Sequence, residues 1–276
     1  MNTFPDGPIE LIVDCSVFLI TTFAYDDLMD GVYLGLGYDE LETLSRECAK
    51  LGSTIPGSQQ NSLPPRLAWP AQQVYAAYQD CFRRLSGYPA YQWASAYLAK
   101  HWQRGFEAML QESRWRLGID TMPGLIQYLN QAIPSLYGPL FYASWVVMKN
   151  LPPMSARDLD SWDHAAYLSS LAIRLCNDLR TAEREITENS PNTLSLLARE
   201  GQTPKQISHA VQKAVKDATI DLGTAVNAFP EPLAELGSAL QNSTRFSCEW
   251  YLARDTHGLT TYQLREILTE ASRTDS

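Results

Sequence analysis

Residues 26–30 read Asp-Asp-Leu-Met-Asp, and residues 177–185 read Asn-Asp-Leu-Arg-Thr-Ala-Glu-Arg-Glu. The first stretch ends an apolar run, and we predict a helix over residues 9–30 that stops at Gly31, a residue type common just past helix ends. The second stretch lies within a longer helical pattern over residues 156–187. The sequence therefore predicts two long helices that each carry oxygen-bearing side chains.

The rest of the chain is also helical in pattern, with no strand alternation of useful length and no internal repeat. Further helices are predicted over six ranges: 39–51, 69–86, 90–117, 123–149, 204–229 and 231–254. Residues 52–65 are polar and contain several prolines, so we expect a loop there. No linker separates two cores, which predicts one all-α domain over residues 1–276.

The composition limits the classes of function. The chain is 45% hydrophobic with 14 Tyr and 7 Trp, enough to line a sizeable apolar cavity. The net charge is -9 without a run of Lys or Arg, which argues against a nucleic-acid partner. No apolar stretch reaches the roughly 20 residues of a membrane span, and no signal peptide is evident. The five cysteines have no paired or metal-binding spacing, so we expect free thiols and a cytoplasmic location.

The first acidic cluster places three carboxylates at helical spacing. Asp26, Asp27 and Asp30 are related by i+3 and i+4, so their side chains can reach one region of space. They repel one another, and they occupy a helix C-terminus, where the helix dipole disfavours negative charge. A divalent cation such as Mg²⁺ would relieve this repulsion. By itself the cluster is explained equally well as a solvated acidic helix end.

The second cluster forms a stripe along two turns of a helix. Asn177, Thr181 and Glu185 are spaced i, i+4 and i+8, and they offer an amide oxygen, a hydroxyl and a carboxylate, a hard ligand set suited to Mg²⁺. The stripe is flanked by arginines that could pair with phosphate oxygens: Arg174, Arg180 and Arg184. Alone, this segment is better explained as an exposed helix with internal Glu–Arg pairs. Both clusters in one all-α chain favour a metal site.

The paired motifs carry a resemblance to the class I terpene synthases. Residues 26–30 match the DDxxD motif of that family at all three aspartates, and residues 177–185 match its NDxxSxxxE motif, with Thr181 in the Ser/Thr place. In finer features the chain resembles plant-like and bacterial diterpene synthases, of the ent-kaurene synthase-like and terpentetriene synthase-like kind. Residues 102–115 resemble their W…ML-x-E-x-x-W helix, and residues 127–139 their YL-x-N…S…GP segment.

The resemblance implies a class I terpenoid synthase helical bundle, with N-terminal helices missing or short because the aspartate motif lies so near residue 1. It implies three Mg²⁺ ions held by six side chains: Asp26, Asp27, Asp30, Asn177, Thr181 and Glu185. Four of these are expected to be direct ligands and catalytic residues: Asp26, Asp30, Asn177 and Glu185. Arg174 and Arg184 are implied to bind the diphosphate.

The implied reaction is that of a lyase: a prenyl diphosphate loses its diphosphate, and the resulting carbocation cyclises in a cavity that excludes water. We expect the cavity wall to include seven residues: Phe23, Trp102, Ile133, Ser135, Tyr142, Phe246 and Trp250. Aromatic faces in such a wall stabilise migrating positive charge. Ile133 and Ser135 flank a proline, where a kinked helix would bring backbone carbonyls to the cation.

The preferred substrate is a bicyclic diphosphate of the copalyl type, made by a separate class II cyclase, because the class II motif DxDD is absent from this chain. The alternative substrate is a linear C15 or C20 prenyl diphosphate. Chain-elongating prenyl synthases fit less well, since no second DDxxD motif occurs. A non-enzymatic alternative is a truncated, inactive relative that serves as a helical interaction module. Dimers are frequent in the family, so a homodimer is also expected.

Overall fold

The computed structural model describes residues 8–31, 36–53 and 63–253. Within them the chain forms α-helices and no strand, which confirms the all-α prediction. The helices are α1 (Ile9–Met29), α2 (Tyr38–Leu51), α3 (Trp69–Ser86), α4 (Tyr91–Arg116), α5 (Leu125–Ser135), α6 (Gly138–Met148), α7 (Ala156–Thr187), α8 (Thr193–Arg199), α9 (Pro204–Asn227) and α10 (Glu231–Ala253). None of them is long and apolar enough to cross a membrane.

Most predicted helices lie within two residues of the observed ones, but the helix predicted over residues 123–149 is two helices. The helix is interrupted between α5 and α6 at Tyr137, whose φ of 56° is in the left-handed region. Pro139 cannot donate a backbone hydrogen bond to Ser135, so the α-helical ladder cannot continue there. The short helix α8 was not predicted, because seven residues are too few for a clear periodic pattern.

An aromatic core fixes α1 against α3 and α4. The ring of Phe18 on α1 stacks on Trp102 of α4, with centroids 5.8 Å apart. Tyr25, one turn before the end of α1, meets Tyr78 of α3 edge-on at 5.8 Å and Phe106 of α4 at 5.0 Å. Such pairs add about 0.5–1.5 kcal/mol each beyond their buried area. The core therefore sets the position of the C-terminal turn of α1, which carries the first acidic motif.

The long helix α7 packs against α9 and α10, and also against α6. It begins at Ser155, whose Oγ accepts a hydrogen bond from the backbone N–H of Asp158, as expected of an N-cap. Near the α5–α6 break the approach is very close, because a Cβ atom added at Gly138 would collide with Ser170 Oγ of α7. The absence of a side chain at Gly138 thus lets the break lie directly against the helix that carries the second acidic motif.

A candidate active site between the two acidic motifs

Both acidic motifs line one cavity of about 380 Å³. From α1 come Asp26 and Asp30, and from α7 come Asn177 and Glu185. The α5–α6 break, α4 and α10 supply the remaining walls. Although α1 and α7 are far apart in sequence, their oxygen-bearing side chains therefore lie in one cleft.

Asp26 is a strongly perturbed carboxylate of the first motif. Burial raises its pKa well above the ordinary value, the negative charges of Asp30, Glu112 and Asp27 raise it further, and only Arg174 opposes them. Three carboxylates thus surround Asp26 with too little positive charge to balance them. A bound divalent cation would balance this excess of negative charge.

The second motif presents Asn177 and Glu185 to the cavity. Burial raises the pKa of Glu185 from 4.5 to about 7, against the opposing effect of Arg174. Its Oε2 accepts a hydrogen bond of 2.6 Å from Asn192 Nδ2, which fixes the carboxylate. Thr181 is buried, and its hydroxyl donates to the carbonyl of Asn177.

We expect the metal-free protein to become more stable as the pH falls from about 7 to 4.5. In this range Glu185 binds a proton in the folded state but not in the unfolded state, because folding raises its pKa. Thermal unfolding followed by circular dichroism at pH 5 and pH 7.5 measures the effect. The variant Glu185→Gln should lose part of the pH dependence, whereas Glu188→Gln, at an exposed site, should keep it. An unchanged pH dependence in Glu185→Gln would contradict the assignment.

Four of the six predicted metal ligands line the cavity, and two do not. The lining residues are Asp26, Asp30, Asn177 and Glu185, while Asp27 and Thr181 lie outside the lining. Within the described part of the chain, no three side chains of His, Cys, Asp or Glu converge as a ready-made metal site. The donors instead come from two helices and include an amide. Carboxylate and amide oxygens are hard ligands, and they fit Mg²⁺ bound together with oxygens of a phosphate.

The two predicted arginines both line the cavity, and both already contact carboxylates. Arg174 is buried, and its Nε lies 2.8 Å from Asp178 Oδ1 and 2.9 Å from the hydroxyl of Tyr128. Its Nη1 lies 3.8 Å from Glu112 Oε1. On the last turns of α7, Arg184 Nη1 lies 3.0 Å from Glu188 Oε2. Arg174 is therefore held rigidly at the base of the acidic cluster.

Five of the seven predicted wall residues line the cavity: Phe23, Ser135, Tyr142, Phe246 and Trp250. The other two, Trp102 and Ile133, do not line it. Trp102 is fully buried in the aromatic core, where its Nε1 donates to the carbonyl of Cys48 at 2.8 Å. Ile133 lines a different cavity, on the far side of α5. It is two residues from Ser135, and that spacing turns a helical side chain by about 200°, to the opposite face.

Sequence reasoning missed several residues that line the cavity. They are, among others, Glu112, Arg116, Phe141 and Glu188. Glu112 could have been predicted from the sequence, because it is the glutamate of the W…ML-x-E-x-x-W helix. Arg116 has no such signal, since it reaches the cavity only because α4 ends beside α1.

The α5–α6 break lies beside the cavity. Ser135 and Leu136 both line it, and among described residues their carbonyl oxygens accept no backbone hydrogen bond. The cause is local, since Pro139 has no N–H for Ser135 and the chain turns at Tyr137. Unpaired carbonyl dipoles at an apolar cavity can stabilise positive charge.

Solved terpene synthases share this all-α architecture. The structure of linalool/nerolidol synthase from Streptomyces clavuligerus is similar over 90% of this chain and 84% of that one, with a TM-score of 0.71 and 16% identity. Abietadiene synthase from Abies grandis is similar over 91% of this chain and 33% of that one, with a TM-score of 0.70 and 16% identity. These likenesses show the fold.

Residues 18–219 match the family model "Terpene synthase family 2, C-terminal metal binding", and the chain belongs to that family. Isoprene synthase from Populus alba is 32% identical over 106 residues, which are 37% of this chain and 18% of the relative. Trans-alpha-bergamotene synthase from Phyla dulcis is 24% identical over 174 residues, 62% of this chain and 32% of the relative. The matches thus span a third or less of these relatives' length.

Proposed function

We propose that this chain is a class I diterpene synthase, which ionises a prenyl diphosphate and cyclises the carbocation. One observation carries the proposal: the acidic motifs of α1 and α7 line a single cavity whose lining also includes seven aromatic residues. One end of that cavity suits a metal-bound diphosphate, and the other suits a hydrocarbon chain. The family's metal-binding description supports the same assignment.

At the polar end we propose Asp26, Asp30, Asn177 and Glu185 as direct ligands of Mg²⁺, three ions in all. When bound, Mg²⁺ would neutralise the diphosphate and make it a leaving group. Asp27 and Thr181 lie outside the cavity lining, and we propose that they support the neighbouring metal ligands. Arg184 and Arg174, which both line the cavity, would orient the phosphate oxygens.

At the apolar end, aromatic rings enclose the reacting chain and exclude water. Phe246 and Trp250 of α10 stack with centroids 6.1 Å apart, and Tyr142 meets Trp145 edge-on at 5.0 Å. Rings of this kind stabilise positive charge as it moves. The free carbonyls of the α5–α6 break would act on the same charge, so Ser135 is proposed to influence product choice.

For the substrate we propose a bicyclic, copalyl-type diphosphate supplied by a separate class II cyclase. The diterpene-synthase features of residues 102–115 and 127–139 support this choice. A linear prenyl diphosphate is the second candidate, because the structurally similar linalool/nerolidol synthase was solved with 2-fluorogeranyl diphosphate. All five cysteines are free, which supports the proposed cytoplasmic location. We further propose that the whole chain acts as one domain and forms a homodimer.

We expect the purified protein with Mg²⁺ to convert a copalyl-type diphosphate to a terpene and inorganic pyrophosphate. A panel of linear C10, C15 and C20 diphosphates and bicyclic C20 diphosphates should be tested by gas chromatography–mass spectrometry, with pyrophosphate release measured in parallel. Turnover of linear substrates alone would select the second candidate. Release of no pyrophosphate from any substrate would overturn the enzymatic assignment and favour a helical interaction module.

A further inference from the structure

Three arginines line the cavity, and their surroundings differ. Arg174 lies against Asp178 and Arg184 against Glu188, so carboxylates already balance both charges in part. Arg116, at the last residue of α4, forms no ion pair with a carboxylate of the described residues. The guanidinium of Arg116 is thus the cavity cation that carries the least compensated charge.

The guanidinium of Arg116 donates to a neutral group. Its Nη2 donates a hydrogen bond of 2.6 Å to the carbonyl of Met29, the last residue of α1. Its Nε is buried, and no described residue accepts a hydrogen bond from it. A guanidinium has five N–H donors, so most of its donors remain for a ligand. The donors on its terminal nitrogens are therefore the ones through which Arg116 would bind an acceptor.

The bond to Met29 also bears on the first acidic motif. The carbonyls at a helix C-terminus lack partners within the helix, and that of Met29 accepts from both Arg116 Nη2 and Ser113 Oγ. Met29 lies between Asp27 and Asp30 in sequence. The same guanidinium therefore contacts the backbone of the aspartate motif and faces the cavity that the motif lines.

We propose that Arg116 binds a phosphate oxygen of the substrate while its Nη2 holds the end of α1 in place. This inference rests on the proposed function and adds a third arginine to the diphosphate end of the site. The planar guanidinium matches phosphate oxygens in geometry and charge. A phosphate oxygen would accept a hydrogen bond from a terminal nitrogen of the guanidinium, and the bond to Met29 would hold the cation in place beside the aspartates.

Arg104 provides a matched control on the same helix. It too donates one hydrogen bond from Nη2 to a backbone carbonyl, that of Asn130 at 2.7 Å, but it lines the second cavity rather than this one. Replacing either arginine removes one positive charge and one guanidinium–carbonyl contact. Only the Arg116 change alters the diphosphate end of the cavity, so a difference between the two variants reports on the ligand.

The test is calorimetric titration of inorganic pyrophosphate into the protein with Mg²⁺. We expect Arg116→Gln to weaken binding roughly 10-fold or more, as for a lost charge-assisted hydrogen bond. Arg104→Gln should change binding less than about 2-fold, and Arg116→Lys, which keeps the charge, should fall between. In turnover, Arg116→Gln should raise KM for the diphosphate more than it lowers kcat.

The outcomes separate this inference from the proposed function. If the wild-type protein binds pyrophosphate and Arg116→Gln binds it equally well, Arg116 does not contact the diphosphate and the inference is overturned. If the wild type shows no Mg²⁺-dependent binding and no turnover, the proposed function itself fails. Glutamine keeps a donor for the Met29 carbonyl, and circular dichroism checks that the variant folds. Equal losses in the Arg104 and Arg116 variants would also overturn the inference, because they would show a general charge effect.

Discussion

Replacing Asp26 or Asn177 with alanine is expected to lower Mg²⁺-dependent turnover by roughly 10²–10³-fold, the usual scale for removing one group that stabilises developing charge. Asp26 and Asn177 come from different helices and line the same cavity. If they hold the same metal–diphosphate assembly, the double variant should lose little more activity than the worse single variant, since groups that act as a unit are not additive. Steady-state kinetics of all three variants measure this.

The same substitution should leave the fold intact. Asp26 is a carboxylate whose pKa is raised by burial and by neighbouring negative charge, so Asp26→Ala should be at least as thermally stable as the wild type in the absence of metal. Asp160→Ala, at an exposed position of α7, and Asn242→Ala, at an exposed position of α10, serve as controls and should keep full activity. A binding module would tolerate all of these changes. Full activity in Asp26→Ala would remove the basis of the proposed site.

Replacing Trp102 with alanine is expected to destabilise the protein by about 3–5 kcal/mol, the range for deleting a large buried aromatic side chain. Trp102 is fully buried, and it contacts Phe18, Tyr78, Phe82 and Phe106. The change leaves a cavity and removes the hydrogen bond to the carbonyl of Cys48. A loss of this size should lower Tm by roughly 6–20 °C in a domain of this size, measured by calorimetry.

Trp250 is the matched comparison, because it lines the active-site cavity on α10. Trp250→Ala should cost much less stability than Trp102→Ala and should alter product composition or turnover. Trp102→Phe should keep most of the stability of the wild type, since it retains a ring in the core. If Trp102→Ala were stable and changed the products, Trp102 would belong to the reaction cavity and its placement in the core would be wrong.

Local patterns predicted much of the fold. The bounds of α3 and α7 agree with the sequence prediction at both ends, because their caps and apolar periodicity are encoded within a few residues. The α5–α6 region was harder. Pro134 lies inside α5, and it is Pro139 and the left-handed Tyr137 that end the helical ladder. Kinked helices often contain a proline, so the sequence alone did not distinguish a bent helix from two separate helices.

The sequence likewise predicted one part of the candidate site and not the other. The four residues that line the polar end, Asp26, Asp30, Asn177 and Glu185, follow from helical spacing because a stripe at i and i+4 lies on one face of any helix. The positions of Trp102 and Ile133 did not follow from the sequence, because an apolar residue has the same sequence pattern whether it faces a cavity or the core. Family membership confirms the terpene synthase resemblance, while the diterpene assignment remains a proposal.

The amino-acid sequence by itself determined the helices and the two stripes of oxygen donors, since both depend on contacts between residues three or four positions apart. Only the tertiary structure decided that the stripes share one cavity, that Trp102 supports it from the core, and that Arg116 reaches it from the end of α4. These facts depend on how α1, α4 and α7 pack, and packing joins residues whose separation along the chain leaves no periodic trace.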